Sequence, residues 1–362
     1  MWKKERMKKA YKVLVINPGA TSTKIALYED EKVLLSDNIR HATEDLSAYK
    51  EVIEQLPYRL QLILDRLSKG KIAMSSIDAV VGRGGLLKPL QGGTYRVNAK
   101  MLQDLKQALR GEHASNLGAL LAYHMALPLK KEAYIVDPVS VDELNPLARL
   151  SGWPELPRTS LSHVLNSKAV ARKVAAAKGK KYEEMQLIVV HLGTGISVSA
   201  HQKGQIIDVN NAMEEGPFSI DRTGTLPARA LVQLCYSGKY EEKDLLAKMS
   251  RSAGLFAYLG TKDLQEVERR IIDGDEEAEL VFKSMLYQTA KEIGAMATVL
   301  SGQVEAIVFT GGMAHSDLVI QTLRERVSFI APTVVYAGEM EMEALAFGAL
   351  RVLRGEEEAL VY

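Results

Sequence analysis

The sequence has little cysteine, no long apolar run and almost no net charge, and each shortage excludes a class of protein. The single cysteine, Cys235, excludes an intramolecular disulfide framework and is typical of a reducing compartment. No apolar stretch approaches the roughly 20 residues that a membrane-spanning helix needs. Because 46 basic residues balance 45 acidic ones, the formal net charge of +1 creates no strong field to attract nucleic acid or anionic lipid.

The rest of the composition is that of an ordinary globular protein. Hydrophobic residues make up 47% of the 362 residues and charged residues 25%, a balance that argues against disorder. The length allows two domains with separate cores. The basic start, MWKKERMKKAYK, is followed by a strand-like run with Asn17 and Pro18, so it lacks the apolar centre of a signal peptide. We therefore expect a cytoplasmic protein that binds neither membrane nor nucleic acid.

Residues 12–30, KVLVINPGATSTKIALYED, contain an apolar strand, a glycine turn and several hydroxyl side chains before Lys24. A Walker phosphate loop has a second glycine directly before its lysine, and a helix begins there. Here only Gly19 is present, and Ile25 and Leu27 follow the period of two that is typical of a strand. The pattern predicts a strand, a polar turn and a second strand, with VLLSDNI as a third.

The same pattern recurs in the second half of the chain. Residues 187–211 contain an apolar strand, the turn Gly193-Thr194-Gly195, the alternating strand ISVSAH and then QIIDV. A further apolar strand, AIVFT, ends at Gly311-Gly312 before a predicted helix. Two similar lobes, each with a hairpin facing phosphate, predict an α/β protein with a nucleotide cleft between the lobes.

A series of motifs in the same order resembles the acetate and butyrate kinases along nearly the whole chain. They include VINPGATSTK, VGRGGLLKPLQGG, GEHASNLGALLA, HLGTGISVSAH, DRTGTLP and VFTGGMAH. Of these, GRGGLL, EHASNLGALLA and RTGTLP are typical of butyrate kinases. The resemblance implies the two-lobed fold of the actin-like ATPase (ribonuclease H-like) type, shared by actin, sugar kinases and heat-shock chaperones. It implies an N-terminal lobe of residues 1–140 joined by the final helix 343–362, and a nucleotide-binding lobe of residues 141–342.

The resemblance also implies a reaction, the reversible transfer of the γ-phosphoryl group of ATP to a short-chain carboxylate, giving an acyl phosphate and ADP. No general base is needed, because carboxylic acids ionise at a pKa of about 4 to 5. The difficulty is charge repulsion, so we expect arginines, histidine, Mg²⁺ and backbone N–H groups in the site. Acetate or propionate kinase is the alternative enzyme, and a nucleotide-switched binding protein of the same superfamily is the alternative from another class.

Four residues are implied to act in catalysis. Arg83 directly follows an apolar strand, precedes two glycines and would bind the carboxylate; Arg222 would clamp the phosphoryl group in transit. His163 would hydrogen-bond to the transition state, although a lone histidine is more often structural. Asp137 follows the strand EAYIV and would ligate Mg²⁺ or order water, although Asp-Pro also favours a turn.

The remaining implied contacts divide between substrate, nucleotide and metal. His113 and Asn116 would lie with Arg83 near the carboxylate. The metal would be held by Asn17, Asp137 and Glu343, with Glu341 left open as an alternative to Glu343. The nucleotide would contact Asn17, Thr21, Ser22, Lys24, His191, Gly193, Thr194, Gly195, Thr261, Asp263, Gly311, Gly312 and Met313.

Three further expectations concern the assembly and the second half of the chain. The family suggests a homodimer or a higher homo-oligomer. Residues 283–300 have apolar and small side chains at helical spacing, which predicts a core helix. The charged tail RGEEEALVY is expected to be solvated beyond the last helix.

Overall fold

In the computed structural model, residues 9–362 are described. The strands are β1 Lys12–Pro18, β2 Ser22–Glu29, β3 Lys32–Arg40, β4 Ala79–Arg83, β5 Thr94–Arg96, β6 Glu132–Val136, β7 Gln186–Leu192, β8 Ile196–Gln202, β9 Gln205–Val209, β10 Ala306–Gly311, β11 Thr333–Ala337 and β12 Leu360–Val361. The α-helices are α1 Thr43–Ser47, α2 Leu56–Lys69, α3 Ala99–Lys106, α4 Asn116–Ala126, α5 Pro146–Arg149, α6 Val164–Ala177, α7 Ala228–Cys235, α8 Glu242–Arg251, α9 Gly254–Leu259, α10 Leu264–Ile272, α11 Glu276–Val299, α12 Asp317–Val327 and α13 Glu341–Leu353. No helix within this part of the chain is long and apolar enough to cross a membrane.

The chain forms two compact units. The first contains the described residues up to Val141 together with Met340–Tyr362. Its seven-stranded sheet has the order β12-β5-β6-β4-β1-β2-β3. β1, β2 and β3 pair antiparallel as the predicted meander, whereas β1, β4 and β6 run parallel.

Helices α4 and α13 pack on the parallel strands of this sheet and bury its apolar side chains. Glycine allows α4 to approach closely, since a Cβ at Gly82 of β4 would lie 2.0 Å from the carbonyl oxygen of Gly118. The next residue of β4 is Arg83, so the close contact fixes the backbone from which this arginine extends.

The second unit is Asp142–Glu339. Its five-stranded sheet has the order β11-β10-β7-β8-β9, with β7, β8 and β9 antiparallel and β7, β10 and β11 parallel. The predicted second hairpin is therefore confirmed. The predicted core helix is also confirmed, because α11 spans 24 residues and buries Phe282, Met285, Leu286 and Ile293 among others.

The tail is solvent-exposed as expected, with Leu360 36% and Val361 76% exposed, but its end is part of the fold. Leu360–Val361 forms β12, which pairs parallel with β5 at the edge of the first sheet. The side chain of Asn98 donates to the carbonyl of Tyr362 (3.1 Å), and the Tyr362 hydroxyl donates to Asp104 (2.9 Å). The short apolar end LVY satisfies free backbone groups of the edge strand, and the charged residues before it form the connection.

Candidate active site

In the first unit, three of the predicted residues lie at the same edge of the sheet. Asn17 is in β1, Arg83 is the last residue of β4, and Asp137 directly follows β6. The parallel register aligns Ile16 with Gly82 and Arg83 with Val136, so these positions are neighbours at the carboxyl ends of adjacent strands. In open α/β sheets this edge is where ligands bind.

Glu341, in the first turn of α13, joins two of these residues. Its carboxylate forms a two-pronged ion pair with the guanidinium of Arg83 (Nη2 to Oε1 2.9 Å, Nη1 to Oε2 3.0 Å). It also accepts a hydrogen bond from Nδ2 of Asn17 at 2.7 Å. Glu343, by contrast, lies near Tyr28, where burial and then the negative charge of Glu343 raise the pKa of the tyrosine hydroxyl. Glu341 is therefore the acidic residue beside Asn17 and Arg83.

Asp137 is held rigidly. It is 1% exposed and its backbone has a φ of 37°, in the left-handed region that few residues other than glycine adopt. Its N–H donates to the carbonyl of Gly93 (3.0 Å), and its Oδ1 accepts from the N–H of Gly93 (2.7 Å). A buried carboxylate in an unusual backbone conformation is typical of functional sites.

The segment that begins α4 carries His113 and Asn116. Nδ1 of His113 accepts from the N–H of Ser115, while the partial burial of the ring and then the positive charge of Arg83 lower its pKa. Asn116 is buried, accepts from the N–H of Leu86 (2.9 Å) and donates to the carbonyl of Gly111 (3.0 Å). Asn116 therefore supports the loop that follows Arg83. His113 lies close enough to Arg83 for the charge of the arginine to lower its pKa.

The turn between β1 and β2, residues 19–22, is the first glycine turn. The N–H of Gly19 donates to the carbonyl of Ser22 (2.7 Å), while Thr21 and Lys24 are exposed. The N–H groups of Ala20 and Thr21 have no acceptor among the described residues. Backbone N–H groups presented in this way suit an anion.

Arg59, which was not predicted from the sequence, lies beneath this turn. It belongs to α2 and is 1% exposed. Its guanidinium donates to the carbonyls of Gly19 (2.8 Å), Ala20 (3.3 Å) and Ser22 (3.3 Å). No local pattern revealed this contact, because the turn is about 40 residues away in the sequence.

In the second unit, two of the predicted histidines stack on each other. The rings of His163 and His191 are 3.7 Å apart between centroids and 8° from parallel. Nδ2 of Asn166 lies 3.1 Å from Nδ1 of His191 and donates to Thr310. Because Nδ1 of His191 is an acceptor, a neutral ring carries its proton on Nε2, the atom on the side of Gly193.

The turn Gly193-Thr194-Gly195, the second glycine turn, lies against Arg222. A Cβ at Gly195 would be 2.3 Å from Nη1 of Arg222, so glycine leaves the space that the guanidinium occupies. The hydroxyl of Ser219 donates to the carbonyl of Thr194 and links the turn to the loop that carries the arginine.

Arg222 is partly buried, and the adjacent Asp221 offsets only part of the cost of burying its charge. It makes no ion pair with an acidic side chain in the part of the chain that the structure describes. Asp221, the adjacent residue, pairs instead with Lys262 at 2.9 Å. Nη1 of Arg222 donates to the carbonyl of Ala212 (3.2 Å), and Nε is buried without an acceptor among residues 9–362. Burial lowers the pKa of the guanidinium, and the negative charge of Asp221 raises it by less.

The other predicted nucleotide contacts have local roles. Asp263 caps the N-terminus of α10 by accepting from the N–H of Gln265, and Thr261 donates to Glu266. Gly311 has a φ of 89° and packs on the backbone of Leu192. A 3₁₀ turn from Gly312 to His315 follows, with Met313 buried. The nucleotide roles of these residues stay predictions.

The chain is similar to known proteins in both sequence and structure. The model of the Acetokinase family matches residues 160–331. Butyrate kinase 2 of Clostridium acetobutylicum is 51% identical over 353 residues, which cover 97% of this chain and 99% of that protein. Butyrate kinase 1 of the same organism is 49% identical over the same length and coverage.

A crystal structure of acetate kinase from Porphyromonas gingivalis matches with a TM-score of 0.78. It is 18% identical, and the match covers 95% of this chain and all of that one. This likeness confirms the predicted two-lobed α/β fold. The sequence identity to the two butyrate kinases over nearly their full length extends that conclusion from fold to family. The chain is therefore a kinase that belongs to the acetokinase family.

Proposed function

We propose that this kinase transfers the γ-phosphoryl group of ATP reversibly to butyrate or a similar short-chain carboxylate, unbranched or branched. The names of the two relatives, both butyrate kinases at about half identity, support this substrate class. The structural observation that carries the proposal is Arg222, a half-buried guanidinium with no ion-pair partner among residues 9–362, placed against a glycine turn. An unpaired cation in a partly desolvated position attracts a phosphoryl group strongly.

Arg222 would stabilise the charge that spreads over the phosphoryl oxygens in the transition state. Its loop is anchored by backbone bonds from Ala253 to Asp221 (3.0 Å), from Leu255 to Ser219 (3.0 Å) and from Ser219 to Arg222 (3.1 Å). A fixed donor needs little reorganisation during the reaction, which makes its contribution large.

The histidine pair would add hydrogen bonds from neutral rings. Two cations stacked at 3.7 Å would repel each other strongly in a partly buried site, so the stacking favours at least one neutral ring. His191, with its Nδ1 fixed by Asn166, would offer Nε2–H to the phosphates, and His163 would act on the transition state.

Arg83 would bind the substrate carboxylate. Two of its nitrogens are held by Glu341, while Nε has no acceptor within residues 9–362. The side chain is 29% exposed, so a small anion can reach it. His113, whose pKa is lowered by partial burial and by Arg83, would remain neutral there and donate or accept a hydrogen bond.

The residues at the strand ends, together with Glu341 of α13, would hold Mg²⁺. Asn17, Asp137 and Glu341 supply amide and carboxylate oxygens, the hard donors that Mg²⁺ prefers. Residues 9–362 contain no group of three or more His, Cys, Asp or Glu placed to hold a metal ion. This agrees with a Mg²⁺ ion that is bound largely by nucleotide phosphates and water with one or two protein carboxylates. The bound ion would neutralise phosphate charge. Glu341 replaces Glu343 in this proposal.

The proposed mechanism needs no general base. The attacking carboxylate is already ionised at neutral pH. Asp137, held by both bonds to Gly93, would order the metal and its water and would not remove a proton.

The test is an assay for acyl phosphate trapped with hydroxylamine, run with unbranched and branched acids from acetate to valerate length. We expect kcat/KM to be higher for butyrate or isobutyrate than for acetate. A clear preference for acetate or propionate would overturn the substrate proposal. No acyl phosphate with any acid, from folded protein with ATP and Mg²⁺, would favour the nucleotide-switched binding protein.

We also propose that the kinase is a cytoplasmic homodimer or larger homo-oligomer. Four apolar side chains near α5 are exposed: Leu147 (86%), Leu150 (75%), Trp153 (61%) and Leu156 (66%). Clustered exposed apolar side chains are typical of a protein interface. Light scattering after gel filtration tests this, and a monomeric mass at micromolar concentration would contradict it. The balanced net charge supports the expectation that nucleic acid and membranes are not partners.

A further inference from the structure

Arg59 lies at the centre of a buried polar network beneath the first glycine turn. Its hydrogen-bond acceptors are the carbonyls of Gly19, Ala20 and Ser22, the hydroxyl of Thr23 (3.1 Å) and the side-chain oxygen of Gln55 (2.8 and 3.1 Å). Every acceptor is neutral, and the guanidinium forms no ion pair with the acidic side chains of residues 9–362.

An unpaired buried cation is an expensive way to hold a hairpin. Taking a charge out of water is costly unless an opposite charge compensates it. Burial lowers the pKa of Arg59 to about 10, so the side chain stays charged at neutral pH in spite of this cost. The guanidinium has five N–H donors for these acceptors, whereas a neutral amide has two, but no acidic side chain among residues 9–362 pairs with its charge. The missing counter-charge therefore needs an explanation.

The network also determines which groups the turn presents outward. Three carbonyls of the turn point toward Arg59, whereas the N–H groups of Ala20 and Thr21 have no acceptor among the described residues. His41 fixes the other side, since its N–H donates to the carbonyl of Thr21 and its Nε2 lies 2.9 Å from the hydroxyl of Thr23. Carbonyls on one side and N–H groups on the other form a turn that accepts an anion.

We infer that Arg59 is a positioning residue for the nucleotide phosphates, which it acts on through the first glycine turn. It holds the carbonyls inward, so that the free N–H groups face the phosphates, and its uncompensated charge is balanced when the anion binds. The inference rests on the proposed function, in which this turn contacts ATP. It adds a residue from α2, which none of the motifs that resemble the family contains.

The decisive variant is Gln55→Glu. Both Nε and Nη2 of Arg59 already donate to the Gln55 side chain, so a glutamate there keeps the network and supplies a counter-charge. We expect the melting temperature to be unchanged or higher. We expect the Kd for ADP, measured by calorimetry, to rise about 3- to 10-fold because the attraction of one partly screened charge is lost. The Kd for adenosine should not change.

Arg59→Gln and Arg66→Gln form a matched pair on the same helix. Arg66 is on α2 and pairs with Asp37 at 3.3 Å, so its variant removes the same charge from a position away from the turn. Arg59→Gln should raise the KM for ATP and leave the KM for the carboxylate within about 2-fold. Arg59→Lys should restore part of the ATP affinity. Arg66→Gln should behave like the parent protein.

The outcomes separate the two proposals. If the parent protein makes no acyl phosphate, the proposed function fails. If the parent is active but folded Gln55→Glu binds ADP and adenosine as the parent does, the inference about Arg59 is overturned and the residue is structural. If Arg59→Gln does not fold, Gln55→Glu still decides the question, because it retains the hydrogen bonds.

Discussion

Removal of the Arg222 side chain should separate a transition-state role from a binding role. A guanidinium about 4 Å from a phosphoryl group contributes about 4 kcal/mol at an effective dielectric constant of about 20. Mutational loss of one preorganised donor agrees with this and reduces kcat by about 10²- to 10³-fold. We therefore expect Arg222→Ala to lower kcat and kcat/KM together by about 10²- to 10⁴-fold, since the contact is strongest in the transition state.

The fold should tolerate this change. Arg222 makes one hydrogen bond to a described acceptor, the carbonyl of Ala212, and a bond of this kind contributes about 0.5–1.5 kcal/mol. Removing a half-buried unpaired charge offsets part of that loss. Arg324→Ala is the matched control, because Arg324 is in the same unit, is exposed and donates to Thr333. Both variants should melt within a few degrees of the parent protein.

Two further variants test the geometry. Arg222→Lys should recover little activity, because a single ammonium cannot replace the planar fork. Gly195→Ala would place a Cβ 2.3 Å from Nη1 and must displace the guanidinium. A misplacement of about 1 Å can reduce turnover by about 10²-fold.

The assay is steady-state formation of acyl phosphate with both substrates varied, together with ADP binding by calorimetry. Near-normal kcat in Arg222→Ala, with only weaker ATP binding, would refute the transition-state role and place the arginine in the nucleotide site. Full activity in Gly195→Ala would refute the proposed close fit between the second glycine turn and the guanidinium.

Three other predictions concern the acidic residues and the buried histidines. Asp137→Asn should abolish most turnover but retain ATP binding. Raising the pH should not restore turnover, because the substrate carboxylate needs no base. Restored turnover at alkaline pH in the trapping assay would show that Asp137 is a base. Glu341→Gln should raise the Mg²⁺ concentration needed for half-maximal activity much more than Glu343→Gln, and the reverse order would restore Glu343 as the metal-side carboxylate. Burial lowers the pKa of His41 to about 4 and of His201 to about 3, from 6.5. As the pH falls, these histidines therefore take up protons in the unfolded chain before they do so in the folded protein. The free energy of unfolding, measured by urea titration, should be maximal above about pH 6.5 and fall toward pH 4. An unchanged free energy of unfolding between pH 6.5 and 5 would contradict this.

Local patterns were sufficient for the hairpins and for the residues at strand ends. Ile25 and Leu27 show the period of two, and the single glycine before Lys24 excludes a Walker loop. Arg83 and Asp137 follow apolar runs directly, and residues at the ends of parallel strands lie at one edge of a sheet. These predictions depend only on residues that are close together in the sequence, which explains why the fold agrees with them.

Long-range contacts were beyond those patterns. Glu341 and Glu343 differ by about 200° around a helix, and the choice depends on Asn17, which is 324 positions away from Glu341. In the sequence, Arg59 looks like any arginine of an amphipathic helix, because its contacts with the hairpin form only in the folded protein. The strand pairing of the tail was not predicted for the same reason, since its partner strand β5 lies more than 260 residues earlier.

Arg83 and Arg222 are in different electrostatic states, and this suggests a division of work. Arg83 is neutralised by a two-pronged pair with Glu341, so an approaching carboxylate gains a directed hydrogen bond but little net attraction. Arg222 has no ion-pair partner among the described residues, and the adjacent Asp221, itself paired with Lys262, offsets its charge only in part. Much of that charge is therefore available to a phosphoryl group. A carboxylate that Arg83 attracts weakly can dissociate readily, whereas Arg222 strongly stabilises the charge that develops during phosphoryl transfer. Binding and catalysis would then depend on different arginines, as differential stabilisation of the transition state requires.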